Sequence, residues 1–194
     1  IKLPVADIFI LNGINGNYNF INVTPGAYLV FVRPDTNNYP NATPTYFGDV
    51  DYWNYSTILN ISSDTTGIDI GVHEINPLTG TGYCSGFLQF GIGSGKTGNG
   101  NVTPFGDPVP GIDISLEEIP GGIKAHTETN DSGFFSFPNL SLNATYKILV
   151  DIPGLPMDST YTISAEDNDS IWLNLDFVVD TTSDGTVGIY IGYP

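Results

Sequence analysis

The chain has 194 residues and is strongly acidic, with 5 Lys plus Arg against 21 Asp plus Glu and a formal net charge of -16. Nucleic acids and anionic membrane surfaces are bound by basic surface, so this balance argues against both as partners. No apolar run reaches 18 residues, which argues against membrane insertion by a helix. The single cysteine, Cys84, leaves no internal disulfide framework and no multi-cysteine metal site.

The composition favours strands and turns. The chain contains 23 Gly, 14 Pro, 11 Phe and 11 Tyr, and no segment has a convincing helical period. The sequence therefore predicts an all-β protein.

In chain order, a first module is predicted over residues 1–77. Its predicted strands are 5–11, 17–21, 27–33, 57–61 and 67–74, and a long aromatic loop covers residues 34–56. A second module is predicted over residues 78–180, and residues 181–194 form a linker and a last strand. The predicted strands of the second module are 83–91, 109–117, three strands within 124–150, 160–165 and 171–179.

Alternation within these strands predicts which side chains face the core. In strand 109–117, Ile112, Ile114 and Leu116 are expected to point inward, with Asp113, Ser115 and Glu117 outward. In the last strand of the second module, four apolar residues are expected on one face: Leu173, Leu175, Phe177 and Val179.

One β-hairpin pattern occurs twice. Residues 124–150 contain the turn Asn130-Asp131-Ser132-Gly133 between alternating strands, and residues 16–32 repeat the pattern. Gly16 corresponds to Gly133 and Phe20 to Phe137. Tyr28, Val30 and Val32 correspond to Tyr146, Ile148 and Val150. An internal repeat of this kind indicates two copies of one β module.

The second module carries the motifs V-P-G-I-x-I-x-L at 109–116, D-S-G-x-F-x-F at 131–137 and Y-x-I-x-V at 146–150. In this order the motifs resemble the carboxypeptidase-regulatory-like, or transthyretin-like, sandwich of secreted bacterial surface proteins, which is close to the B-type repeats of adhesins. The resemblance covers residues 83–179 well and residues 5–74 in part. It implies two tandem transthyretin-like or Ig-like β-sandwiches in an extracellular or cell-surface, bacterial, structural role.

The first module departs from this pattern, because only residues 1–11 precede its copy of the hairpin where the second module has two strands. An opening strand is missing, which leaves an unpaired edge. Residues 186–193 are a surplus strand, with Val187, Ile189 and Ile191 on one face and Tyr190 on the other. Donation of this strand to the next copy would give a head-to-tail homopolymer. Alternatively, the chain is a fragment and the missing strand lies upstream.

Nine N-x-S/T sequons suggest a surface carrying covalent N-linked glycans. Asn130 lies in a tight turn and Asn101 has a proline just beyond its Thr, so both are set aside. The remaining candidates are Asn22, Asn41, Asn54, Asn60, Asn139, Asn143 and Asn168.

Carboxylates on loops offer weak calcium candidates at Asp49 and Asp51 and at Asp167 and Asp169. Neither pair has the spacing of a calcium-binding loop with a distal Glu, so solvated acidic turns are the alternative. No other metal or cofactor is predicted. The aromatic loop, with Tyr39, Tyr46, Phe47, Tyr52, Trp53 and Tyr55, could bind polysaccharide, pack over the sandwich or form a subunit contact, and the contact is favoured.

Catalytic motifs are weak. The GIGSGKT stretch at 91–97 lacks the first glycine of a phosphate-binding loop, and Cys84 with His73 and His126 does not form a recognisable nucleophile–base pattern. The sequence therefore predicts a non-enzymatic, glycosylated subunit of an extracellular filament. The alternative is a carbohydrate-binding or adhesin stalk segment of a larger secreted bacterial protein.

Overall fold

A computed structural model describes residues 8, 10, 15–35, 37–91, 106–157, 159–166, 170–181 and 187–192. Across these residues there are thirteen strands and one 3-10 turn at Trp53–Tyr55, with no α-helix, which confirms the all-β prediction. The strands are β1 (Gly26–Tyr28), β2 (Phe31–Val32), β3 (Thr45–Tyr46), β4 (Leu59–Ile61), β5 (Gly82–Phe90), β6 (Asp113–Glu118), β7 (Gly122–Glu128), β8 (Phe134–Leu140), β9 (Ala144–Asp151), β10 (Thr162–Ala165), β11 (Ile171–Trp172), β12 (Phe177–Thr181) and β13 (Val187–Ile191).

The second half of the chain is a β-sandwich of two sheets. One sheet has the antiparallel order β10-β9-β6-β7. The other has the order β11-β5-β12-β13, and β8 also pairs antiparallel with β5. Since β-sheets bury one face each, the two sheets enclose a single hydrophobic core between them.

Strand alternation builds this core as the sequence predicts. Tyr146, Ile148 and Val150 of β9 are buried, while Lys147 and Leu149 between them are half-buried. The fully buried side chains include Leu88, Ile114, Leu116, Phe135, Phe137, Leu140, Tyr146, Ile148, Phe177 and Ile189. Every member of the core cluster lies between residues 84 and 189.

The turn between β7 and β8 forms as predicted. The side-chain Oδ1 of Asn130 accepts hydrogen bonds from the backbone N–H groups of Ser132 and Phe134, each at 3.0 Å. Gly133 has a φ of +74°, which glycine adopts without a Cβ penalty. An added Cβ there would lie 2.3 Å from the carbonyl oxygen of Leu88, so the tight approach of β5 also requires glycine.

The predicted strand 171–179 is interrupted. Its ends form β11 and β12, both parallel to β5, and residues 173–176 between them lie outside the ladder. Asn174 in this interval has a φ of +60°, a left-handed conformation outside the range of regular β-strand backbone. Leu173 is 58% exposed, so placing it on the buried face with Leu175 and Phe177 was wrong.

The prediction of a surplus C-terminal strand is also wrong, because β13 pairs antiparallel with β12 of its own chain over five residues. Its other edge is occupied as well: Ile189 N–H donates to Pro156 O at 3.0 Å and Ile191 N–H to Ser159 Oγ at 2.8 Å. Ile189 is fully buried, and Val187 and Ile191 pack against the core, whereas Tyr190 is half-buried. The strand fills a place in the sandwich because its alternate apolar residues complete the core of the same chain.

The first half has less regular structure. In residues 15–77, where only residue 36 is not described, β1 pairs with β4 and β2 with β3, giving two separate two-stranded sheets. The strands predicted at 17–21 and 67–74 do not form, since no neighbouring strand supplies a ladder for either segment. Strand 5–11 lies outside the described residues except for Ile8 and Ile10. A second sandwich, its missing strand and the boundary near residue 77 stay predictions.

Candidate functional site

The aromatic loop of the first half packs on the outer face of the four-stranded sheet. We call residues 33–35 and 37–55 the covering segment. Its Tyr46 is 2% exposed and stacks against Phe31, with ring centroids 5.2 Å apart. The pairing of β2 with β3 sets this stack, because Phe31 and Tyr46 are register partners. Trp53 Nε1 donates to Leu155 O of the sandwich at 3.2 Å.

Asp151, the last residue of β9, is the centre of this contact. Its Oδ2 accepts a hydrogen bond from the Tyr46 hydroxyl at 2.6 Å, and its Oδ1 accepts one from Trp53 N–H at 3.2 Å. The residue is only 8% exposed. Burial raises the pKa of Asp151 to about 6, although both hydrogen bonds favour the charged form and oppose the shift.

Asp113 of β6 lies directly opposite Asp151 in the β6–β9 register. Its Oδ2 binds Arg33 of the covering segment at 2.6 Å, and its Oδ1 lies 3.0 Å from His126 Nε2. Arg33 also reaches Glu128 at 3.2 Å. Burial alone would raise the pKa of Asp113, but the hydrogen bond with His126 and the charge of Arg33 outweigh it and lower the pKa.

This arrangement is a polar contact between two parts of one chain. Asp113 and Ser115 are predicted to face outward but are only 7% and 6% exposed. The contact explains this burial, because both side chains point away from the core and are covered by the first half. Arg33 supplies a donor to Asp113 beside His126, and Tyr46 supplies a donor to Asp151 beside the Trp53 N–H, so both buried carboxylates have partners. Burial also raises the pKa of Tyr46 well above the usual tyrosine range, so its hydroxyl remains a donor.

Some aromatic side chains of the loop pack against the sandwich, and others are exposed. Tyr46, Tyr52 and Trp53 are buried or half-buried against the sandwich, which is the packed arrangement among the three alternatives. Tyr39 and Tyr55 remain 61% and 70% exposed.

The calcium candidates Asp49 and Asp51 have hydrogen-bond partners within the chain. Asp49 Oδ1 accepts the N–H of Gly71 at 2.6 Å, and Asp51 Oδ1 lies 2.8 Å from His73 Nδ1. Both bonds tie the covering segment to residues 71–73, and calcium binding by these two carboxylates stays a prediction. In the described part of the chain no three His, Cys, Asp or Glu side chains are grouped to hold a metal. Asp167 and Asp169 lie outside the described residues.

The remaining titratable candidates also serve the fold. Cys84 is fully buried in β5, and burial raises the pKa of its thiol to about 12, which keeps the thiol protonated and unreactive at neutral pH. His73 and His126 each bind a carboxylate. Apart from Gly91, the GIGSGKT stretch lies outside the described residues.

Six of the seven sequon candidates are described, and all six asparagines are exposed: Asn22, Asn41, Asn54, Asn60, Asn139 and Asn143. Asn22, Asn139 and Asn143 have φ between +58° and +65°, so the left-handed backbone by itself favours an asparagine at these positions. Asn60 lies in β4 opposite Ala27. Asn168 lies outside the described residues.

Sequence reasoning missed the contact around Asp113 and Asp151. Both residues end or begin strands in which polar positions alternate with apolar ones, and that pattern ordinarily indicates a solvent-facing side. The sequence contained one signal for this contact. Arg33 is one of only five basic residues in an acidic chain, and it directly precedes the aromatic loop.

A helical membrane span is not found in the part of the chain that the structure describes. No family model matches the sequence. The chain is similar to Colossin-A of Dictyostelium discoideum, with 26% identity over 139 residues. The match covers 72% of this chain but about 1% of Colossin-A, so the chain corresponds to a very small part of that protein.

Proposed function

We propose that the chain is a non-enzymatic structural module of an extracellular protein. The observation that carries this proposal is that its titratable side chains are bonded to other parts of the chain or buried in the core. Asp49, Asp51, His73 and His126 each bind another segment of the chain, and Cys84 is enclosed in the core. A site built for chemistry keeps such groups accessible to a substrate. The distant similarity to Colossin-A supports the extracellular and structural part of the proposal.

We also propose that the surface carries N-linked glycans at exposed sequons. Asn60 is the clearest position, because both it and the sequon residue Ser62 are exposed and Asn60 has no left-handed turn to account for it. The sequon of Asn41 is different, since its Thr43 is 1% exposed, and sugar transfer there would have to precede folding.

The finer proposal is a head-to-tail homopolymer in which β13 of one copy pairs with the next copy. Each two-stranded sheet of the first half offers edges that lack a strand partner among the described residues, and such edges accept an added strand. Because β13 is held on both sides in its own chain, donation requires its release first. With a net charge of -16 per copy, we expect association to strengthen with added salt, which screens the repulsion.

A disulfide lock tests this assembly. Val178 and Tyr190 are register partners on β12 and β13, and both are half-buried, so Val178→Cys with Tyr190→Cys should fasten β13 to its own chain. We expect the wild-type chain at 0.15 M salt or above to form filaments visible by negative-stain microscopy. The oxidised double variant should stay monomeric and recover assembly on reduction.

The Val178→Cys single variant is the matched control and should assemble like the wild type. Filaments from the oxidised double variant would show that β13 is not donated. A wild-type chain that remains monomeric at every salt concentration would reject the homopolymer. The adhesin-stalk alternative would then account for the module, and glycan-array binding would test it.

A further inference from the structure

Several hydrogen bonds between the first half and the sandwich meet at two buried carboxylates. The covering segment contributes Arg33, Tyr46 and Trp53, and the sandwich contributes Asp113 and Asp151. The core cluster contains no residue of the first half, so this contact is polar where the sandwich itself is apolar. A polar contact around buried carboxylates responds to protonation, whereas an apolar core does not.

The charged and titratable groups around Asp151 come from three segments. The covering segment presents the Tyr46 hydroxyl to its Oδ2 and Arg33 to the neighbouring Asp113. Strand β6 presents Asp113, which lies across the ladder. Strand β7 contributes His126, bound to Asp113, and Glu128, bound to Arg33.

We propose that the covering segment is a pH-dependent latch, which docks most tightly on the sandwich under mildly acidic conditions and loosens towards alkaline pH. The device depends on Asp151, because this carboxylate is buried in the docked state and becomes hydrated when Tyr46 and Trp53 move away. Docking therefore favours the neutral carboxyl over the charged one.

The direction of the effect follows from the pKa of Asp151. Its pKa is raised to about 6 in the docked state, above the ordinary value of 3.8. A carboxyl whose pKa is raised by docking stabilises the docked state fully when the pH is below its ordinary pKa. This stabilisation is lost as the pH rises through about 6. Between pH 5 and pH 8 the ratio of open to docked molecules should increase about tenfold.

Asp113 sets the acidic limit of the latch. Its pKa is lowered in the docked state, so its pairing with Arg33 is retained above the ordinary pKa and lost as the pH falls below it. The two carboxylates therefore act in opposite directions, and docking is tightest between their transitions.

Hydrogen exchange of the Trp53 backbone N–H measures the opening directly, because that group donates to Asp151. We expect its protection factor, corrected for intrinsic exchange at each pH, to fall about tenfold from pH 5 to pH 8. The Leu88 N–H, bonded to Gly133 O inside the sandwich, is the internal reference and should not follow this change.

The Asp151→Asn variant resembles the protonated carboxyl in size and charge, so its Trp53 protection should be independent of pH over this range. Asp176→Asn is the matched control, because it neutralises another buried carboxylate, one that accepts the Phe87 N–H of β5 and lies apart from this contact, and it should keep the wild-type slope. Protection that is constant in the wild type, or a slope that persists in Asp151→Asn, would overturn the proposal.

Tyr46→Phe is a second route in case Asp151→Asn fails to fold. It removes a hydroxyl that stabilises the charged carboxylate, so the loss of Trp53 protection should become larger towards pH 8. An unchanged or smaller pH dependence in Tyr46→Phe would count against the latch.

Discussion

Two regions of this chain share one sequence pattern but reach different structures. Residues 134–140 form β8, which pairs with β5 and buries Phe137 to 1% exposure. The corresponding residues 17–21 form no ladder, and Phe20 is half-buried against Tyr18. The comparison teaches that alternation of apolar residues specifies a strand only where a neighbouring strand satisfies its backbone groups.

The two regions also differ in what holds them. The second half has an apolar core enclosed by two sheets. The first half is joined to it by hydrogen bonds and ion pairs, among them Arg33 with Asp113 and Tyr46 with Asp151. Substitutions at matched positions should therefore have unequal effects.

The largest difference is expected at the paired phenylalanines. Phe137→Ala should reduce the free energy of unfolding by about 3–5 kcal/mol, because it leaves a cavity in a closed core. Phe20→Ala should cost about 1 kcal/mol or less, since that ring is already partly hydrated. Urea unfolding of both variants checks this, and equal losses would mean that the first half has an apolar core of its own.

The paired glycines give the next largest difference. Gly133 and Gly16 have φ of +74° and +65°, but an added Cβ meets the Leu88 carbonyl oxygen at 2.3 Å in the first case and nothing within 4 Å in the second. Gly133→Ala should therefore cost about 2–4 kcal/mol, from a left-handed backbone and a forced shift of β5. Gly16→Ala should cost about 1 kcal/mol, from the backbone alone. Thermal unfolding of the two variants measures the difference, and similar shifts would place the turn at Gly16 against a strand as well.

Much of the second half could be predicted from the sequence, because there local pattern and tertiary packing agree. The alternation in β9, the turn at Gly133 and the apolar face of β6 are all confirmed. The predicted strand 171–179 is interrupted at Asn174, because the left-handed backbone of this residue cannot be read from the apolar periodicity. The place of β13 in its own sandwich was not predicted, because counting strands does not show which edge of a sheet is still open.

The contact around Asp151 could not be predicted for a different reason. A polar residue between apolar ones in a strand normally faces water, and only the position of a distant segment decides otherwise. Residues 46 and 151 are 105 positions apart, and nothing local to either indicates the other. Long-range polar pairs of this kind are set by topology.

The smallest expected effect tests the polar character of this contact. Arg33→Met keeps much of the apolar stem of the side chain but removes the charge that binds Asp113 and Glu128. We expect a loss of about 1–2 kcal/mol, because Asp113 stays buried and retains only His126. The loss should appear as faster hydrogen exchange in the covering segment, with little change in the exchange of β5 and β9.

Lys124→Met is the matched control, since Lys124 pairs with Glu118 within the sandwich at 3.2 Å and both side chains are partly exposed. Its effect should stay within about 0.5 kcal/mol, as is usual for surface ion pairs. If Arg33→Met and Lys124→Met prove equally mild, apolar contacts of Tyr46 and Trp53 hold the first half in place. If exchange in β5 and β9 accelerates together with that of the covering segment, the two halves unfold as one unit. They would then differ in local structure but not in stability.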